Sequence, residues 1–223
     1  MARMISQAAV STLKMENQRK SKLFILYFLS FFIVLLTGYL IFTNKFNTYL
    51  LLFSIFLFSV TVYYIIVLSK RADDARIGAK AEEYLSSFLD RNLPSTYWII
   101  NDLKIKYGNI DCLVIDTIKN CLFLIEIKSS RRFNSSSLSK WIKQSKLNEM
   151  ILKRIIKEKI GFEVPVFTII SLPFLKDEEH YYFFEDSKVW LLGNRKLIEF
   201  MNKVEKNNVK VDWFRFIDDI CSK

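Results

Sequence analysis

Charge is missing from two stretches of this 223-residue chain: Leu23 to Phe42 and Tyr49 to Leu68 run twenty residues each without one Asp, Glu, Lys, Arg or His. At about 1.5 Å per helical residue, each run spans about 30 Å, the thickness of a bilayer's hydrocarbon core. The core helices of soluble proteins rarely stay uncharged for so long. No small-x-small cleavage site follows the first run, which argues against a removable signal peptide. The same lack of ionisable groups removes any ion path, so a small transporter is a poor reading. Gly38 alone makes no helix-packing motif. Cysteine is scarce too: Cys112, Cys121 and Cys221 are odd in number and form no C-x-x-C pair. They read as free thiols of a reducing compartment, neither a disulfide frame nor a zinc site. The single histidine, His180, has no ligand partner at metal spacing and reads as a surface residue.

What is present follows from those absences. The runs 23–42 and 49–68 predict two transmembrane helices in a tight hairpin, joined by Thr43 to Thr48, whose only charge is Lys45. Arg3, Lys14, Arg19, Lys20 and Lys22 precede the first run, and Lys70, Arg71 and Arg76 follow the second. The positive-inside rule then places both termini in the cytoplasm. Residues 1–22 form a basic lead-in, 69–76 (SKRADDAR) a charged tether, and 77–223 a cytoplasmic globular domain.

Periodicity within that domain predicts a helix from Arg76 to Arg91, with Ala81, Tyr84, Leu85 and Phe88 on one face. Strands are expected at Tyr97–Asn101, Asn109–Asp116 and Cys121–Ile127, the last two joined as a hairpin by Thr117–Asn120. A long helix from Leu138 to Ile160, strands at Val164–Ser171 and Lys188–Leu192, and helices at Asn194–Asn207 and Trp213–Ile220 complete the order. An acidic loop precedes the last strand. This is a mixed-sheet α/β domain flanked by helices.

Chemistry concentrates on the hairpin. Glu126 interrupts an apolar strand, and alternation puts Lys128 on its face, with Ile125 and Ile127 on the other. Asp111 interrupts the partner strand. A turn centred on Ile118–Lys119 makes paired residue numbers sum to 237, which sets Asp111 opposite Glu126. Opposed carboxylates repel, so the pair needs a cation. Lys128 and a hard divalent ion are the candidates, since Mg²⁺ is commonly held by one or two carboxylates plus substrate phosphate. Taken alone, the cluster is also compatible with a solvated Asp–Glu–Lys group on a hairpin's wet face.

Company decides the weight of that motif. Gly78-Ala-Lys-Ala81-Glu82, Gly108-Asn-Ile-Asp111, Ile125-Glu126-Ile-Lys128 and then Gln144 resemble, in order, the motifs of the nuclease-related domain (NERD) over about residues 76–175. That family is similar to the PD-(D/E)xK nucleases, which share the restriction-endonuclease-like fold. The resemblance implies Asp111 and Glu126 as ligands of Mg²⁺ or Mn²⁺ and Lys128 as the group that positions water. It implies Glu82 as a supporting acid and Gln144 as an active-site polar residue. Ala81 stands where the family tends to have glycine, Cys112 where it has histidine, and Ser129-Ser130 where a polar–aromatic pair is typical. The carboxylate–lysine core is retained.

The formal charge of +10 divides evenly, +5 in residues 1–68 and +5 in 69–223. Lys128 to Lys159 holds ten basic residues against Glu149 and Glu158, a local +8 that begins at the candidate site. Arg131, Arg132, Lys140, Lys143 and Lys146 are the residues expected to neutralise a nucleic-acid backbone, DNA in preference to RNA. Anionic lipid head groups are a competing partner for the same cations, given the short tether. The expected activity is metal-assisted phosphodiester hydrolysis at the membrane surface. The alternative is a catalytically silent, membrane-tethered binding or scaffolding domain.

Overall fold

The computed structural model describes residues 1–43, 48–105, 108–130, 134–175 and 181–221. The chain divides into two compact units, one comprising Met1–Val10 with Gly78–Lys223, the other Ser11–Ile77.

The smaller unit is a pair of helices. Helix α1 covers Val10–Phe42 and α2 covers Thr48–Asn92, so the polar segment 69–76 is helical and continuous with the apolar run before it. Lys70, Arg71, Ala72, Ala75 and Arg76 are good helix formers, and the segment holds no Gly or Pro to break the helix. Both helices are long and apolar enough to cross a membrane, and only 6% of each apolar window is buried. Phe28, Phe42, Phe53, Phe56 and Ile66 lie open on their surfaces. The apolar windows of these helices are therefore not a core of this chain. The hydroxyls of Thr37, Ser59 and Thr61 donate to the carbonyls of Ile33, Ile55 and Leu57 in their own helices, which satisfies them without water. The Arg19 guanidinium donates to the Arg71 carbonyl, tying together the outer ends of the pair.

The larger unit is a seven-stranded mixed sheet between two helical layers. Its strands are β1 (Arg3–Met4), β2 (Tyr97–Ile105), β3 (Gly108–Asp116), β4 (Cys121–Ile127), β5 (Val166–Ser171), β6 (Tyr181–Phe184) and β7 (Val189–Leu192), in spatial order β1-β2-β3-β4-β5-β7-β6. The neighbours β2–β3, β3–β4 and β6–β7 are antiparallel, whereas β1–β2, β4–β5 and β5–β7 are parallel. Cys121, Phe123, Ile125 and Ile127 pack into one core with Ala81, Leu85 and Leu89 of α2 and with Leu197 and Met201 of α4 (Asn194–Lys203). Leu122 and Leu124 pack into the opposite core with Leu152 and Ile156 of α3 (Ser135–Ile160) and with Trp213 and Phe216 of α5 (Trp213–Cys221). Burial on both faces explains why β4 is apolar without alternation.

Several bounds differ from the sequence expectation for visible reasons. Helix α3 starts at Ser135 because Asn134 and Ser137 form a reciprocal capping box, and it stops at Gly161, a left-handed cap (φ +87°). The stretch Tyr181–Phe184, next to the expected acidic loop, pairs with β7 as an edge strand. Helix α4 ends at Lys203, short of Asn207. The expected polar lead-in is divided. Its first residues join the sheet, Arg3 opposite Trp98 and Met4 opposite Ile99. Lys45, Arg131, Arg132 and His180 lie outside the described residues.

Candidate active site

The β3–β4 turn sets the site. Asp116 Oδ1 accepts the N–H groups of Ile118 (3.0 Å) and Lys119 (2.8 Å), an Asx-type turn that locks the hairpin. The register that results pairs Cys112 with Ile125 through Asp116 with Cys121, each pair summing to the expected 237. The ladder ends there, one step before Asp111 and Glu126. The reason is a bend: β2–β3 pairing also skips Asp102 and Asp111, and Asp102 is in the left-handed region (φ +52°). Face alternation breaks at the same place, since Ile110 and Leu113 share one core while Cys112 lies in the other. Freed from the ladder, Asp111 turns its Oδ2 onto the N–H of Ile127 at 2.7 Å.

Glu126 is fully buried at the end of β4. Its Oε1 lies 2.6 Å from Lys128 Nζ, and its Oε2 accepts a hydrogen bond from Asn148 Nδ2 at 3.3 Å. The Lys128 ammonium also donates to Gln144 Oε1 at 3.4 Å, and its backbone N–H holds Ser171 O at 2.9 Å. Asp111, Glu126, Lys128 and Gln144 thus meet at the carboxyl ends of β4 and β5. Glu82, half-buried on α2, acts electrostatically on both Asp111 and Cys112, which places it beside the same cluster.

Electrostatics distinguish the members. Burial, followed by the adjacent Glu126 carboxylate, pushes the Asp111 carboxyl up to about 8, and Glu82 adds to the rise. Lys128 and the Ile127 N–H pull the other way without reversing it. With both ionised, the two carboxylates would hold more negative charge than Lys128 alone offsets. Burial, with Asp111 and Glu82, pushes the Cys112 thiol up, so it stays a neutral core group.

The basic helix is not uniform. Lys140 and Lys143 are exposed on α3. Lys146 lies 2.5 Å from Glu149 Oε2, Lys153 lies 2.6 Å from Oε1, and Thr168 Oγ1 donates to Oε2 at 2.7 Å. Burial pushes the Glu149 carboxyl up, but these partners outweigh it and hold it below its ordinary value. Lys146 is therefore already engaged within the chain. A cavity of about 830 Å³ between the second half of α3 and β5, lined by Lys153, Arg154, Lys157 and Glu163, contains none of the carboxylate–lysine group.

Sequence reasoning missed Asn148, which is buried and bonded to Glu126. The signal was available. Ser145, Asn148 and Glu149 follow the helical spacing of Leu152 and Ile156 and are buried with them, three polar residues on a core-facing stripe.

Residues 77–173 match the family model of the nuclease-related domain, NERD. This stretch is similar to the nuclease-related domains, a family that belongs to the PD-(D/E)xK-like nuclease superfamily. The match spans α2 from Ile77, the β2–β4 meander, α3 and β5, and so encloses every residue of the cluster. No curated protein and no solved structure matches the chain.

Proposed function

We propose that the chain is a membrane-anchored, divalent-metal-dependent nuclease of restriction-endonuclease-like architecture, hydrolysing phosphodiester bonds in DNA in preference to RNA. The observation that carries this is the meeting of Asp111, Glu126 and Lys128, with Lys128 Nζ 2.6 Å from Glu126 Oε1, inside a nuclease-related domain. The donor set suits Mg²⁺ or Mn²⁺. It consists of hard carboxylate oxygens; burial and then the neighbouring Glu126 carboxylate raise Asp111, and a divalent cation would relieve both by favouring the ionised pair. Among the described residues no group of three or more His, Cys, Asp or Glu forms a complete metal cage. Two carboxylates would leave positions on the ion for waters and a phosphate oxygen.

In this reading Asp111 and Glu126 hold the ion, which when bound supplies Lewis acidity and favours ionisation of water. Lys128 contributes in its own right. An ammonium has three donors; one engages Glu126, one reaches Gln144, and the third can orient the attacking water or a phosphate oxygen. Water would add to phosphorus in line and release a proton to solvent, the bond to the leaving sugar oxygen would break with that oxygen taking a proton from solvent, and the ammonium would stabilise the charge on the phosphoryl group. Gln144 keeps Lys128 directed at the reacting centre, and Glu82 adds negative charge that favours the cation. Lys140 and Lys143, with Arg131 and Arg132 earlier in the sequence, provide contacts to the nucleic-acid backbone.

Membrane attachment rests on α1 and α2, whose apolar windows are almost unburied. Residues 1–10 belong to the same compact unit as 78–223. A bilayer cannot divide a folded sheet, so both ends of the hairpin emerge on one side, and the bias of Lys and Arg makes that side cytoplasmic. Anionic head groups are then a second partner for basic residues near that surface.

The test uses the full chain in lipid nanodiscs, because β1 belongs to the sheet and truncation to the later residues would remove it. Plasmid, linear duplex, single-stranded DNA and RNA are each incubated with Mg²⁺, Mn²⁺ or EDTA. Metal-dependent cutting of DNA, faster than of RNA, is expected. Binding of DNA without cutting under any metal would replace the nuclease with the silent binding domain.

A further inference from the structure

Glu126 sits at 0% exposure with two oxygens to satisfy, and Lys128 satisfies only one. Asn148, itself buried, meets the other: its Nδ2 lies 3.3 Å from Glu126 Oε2 and 3.4 Å from the carbonyl oxygen of Asn109. Asn109 stands two residues before Asp111 on β3, and its own side-chain amide donates to Asp102 Oδ1 at 2.9 Å. Asp102 and Asp111 are the two residues that the β2–β3 ladder skips. One amide group on α3 therefore touches one carboxylate directly and the strand that carries the other through its backbone.

We propose that Asn148 is a positioning residue for the metal-holding pair. It fixes the orientation of the Glu126 carboxylate and docks the bent end of β3 against α3, which sets the separation between Glu126 and Asp111. No backbone hydrogen bond of the β3–β4 ladder does this, because that ladder stops at Cys112 and Ile125. The Ile127 N–H already holds Asp111 Oδ2 at 2.7 Å, and Asn148 adds the matching restraint on Glu126 against the repulsion felt when both carboxylates are ionised. Partners of this kind, one step removed from a metal, typically change affinity by about 10- to 100-fold when removed. The inference rests on the nuclease reading only in assigning Asp111 and Glu126 to a metal; the hydrogen bond itself stands apart from that reading.

Two measurements on the full chain in nanodiscs test it. The first labels asparagine with ¹⁵N, identifies the Asn148 side-chain amide by its disappearance in Asn148→Ala, and compares it with and without Glu126→Gln. A displaced Asn148 signal is expected, and an unmoved one overturns the hydrogen bond whatever the protein does to DNA. The second titrates Mn²⁺ and follows the free ion by electron paramagnetic resonance. Asn148→Ala should weaken binding about 10- to 100-fold. Leu152→Ala, a buried neighbour on the same helix that packs in the apolar core, controls for destabilisation. It should lower the thermal midpoint and leave Mn²⁺ affinity within about twofold of the original, well short of the effect of removing a ligand's partner. Equal affinity in Asn148→Ala and the original chain overturns the positioning role. Absence of Mn²⁺ binding in the original chain sinks the metal reading and this role together, and a displaced amide signal would then show that the hydrogen bond alone is real.

Discussion

At Asp111, burial and a neighbouring carboxylate oppose ionisation, while Lys128 and one backbone N–H favour it. The opposition wins, so the metal-free protein carries a proton there at neutral pH. The folded-state value lies above the unfolded one, so the stability linked to this proton is complete at low pH and is lost as pH rises from about 4 towards about 8. In EDTA, the thermal midpoint of the original chain should therefore fall more steeply between pH 5 and 9 than that of Asp111→Asn, measured by scanning calorimetry. A divalent ion must displace the same proton, so the rise in midpoint caused by Mn²⁺ should grow with pH over the same window. Identical pH slopes for the two proteins would remove Asp111 from the account. The residue-level chemistry also fixes an order among the substitutions. Asp111→Ala and Lys128→Ala should each cost at least about 10²-fold in cleavage rate. Gln144→Ala, which only steadies Lys128 across 3.4 Å, should cost less.

At the scale of elements, the sheet edge and the helix caps determine how firmly the site is held. Strand β1 is two residues long, yet it is reinforced on both sides. The Ala2 N–H donates to Asp90 O at 3.1 Å and the Ile5 N–H to Ile99 O at 2.8 Å. Ser6 Oγ donates to Asn101 O at 2.6 Å and lies 2.7 Å from Asn101 N, whose side-chain amide donates to Ser86 Oγ at 2.9 Å. Ser6→Ala should therefore cost about 1–3 kcal/mol, the range for leaving a buried partner unsatisfied, read from denaturant unfolding. Asn134→Ala, which removes the cap of α3, should cost about 1 kcal/mol by the same measurement.

Elements of this kind mark where the sequence was legible. The β3–β4 hairpin was, because an Asx turn and two apolar strands leave one register, and that register brings Asp111 and Glu126 to the same end. The bend that releases Asp111 was not, since it depends on Asp102 taking a left-handed conformation inside a strand. Strand β1 escaped because two residues carry no periodicity and their partners lie some ninety positions away. Continuity of α2 through 69–76 escaped because charge suggests a break, although Lys, Arg and Ala propagate a helix as well as Leu does. Asn148 escaped because the many charged residues of α3 mask the polar ones on its buried stripe.

Across the whole molecule, charge would govern the encounter of the proposed nuclease with nucleic acid. Lys140 and Lys143 are exposed, whereas Lys146 is already matched by Glu149. Removing one lysine–phosphate pair should reduce the slope of log affinity against log salt by about 0.9. Lys140→Ala and Lys143→Ala are expected to do so in fluorescence anisotropy titrations with duplex DNA, and Lys146→Ala to change the slope by less. The hairpin adds a requirement of sidedness. Tags at the two termini should be digested together by a protease added to one face of sealed vesicles, and protection of one tag alone would contradict the topology. Nuclease function requires the carboxylate–lysine cluster to be a hydrolytic centre, and one comparison addresses that directly. Full-length protein in nanodiscs is mixed with an end-labelled duplex and Mg²⁺, beside Glu126→Gln, which retains the shape of the side chain and removes its charge. The account predicts cleavage by the original chain, abolished by EDTA and reduced at least about 10²-fold in the variant. Equal cleavage by the two proteins would place the chemistry elsewhere and contradict the account.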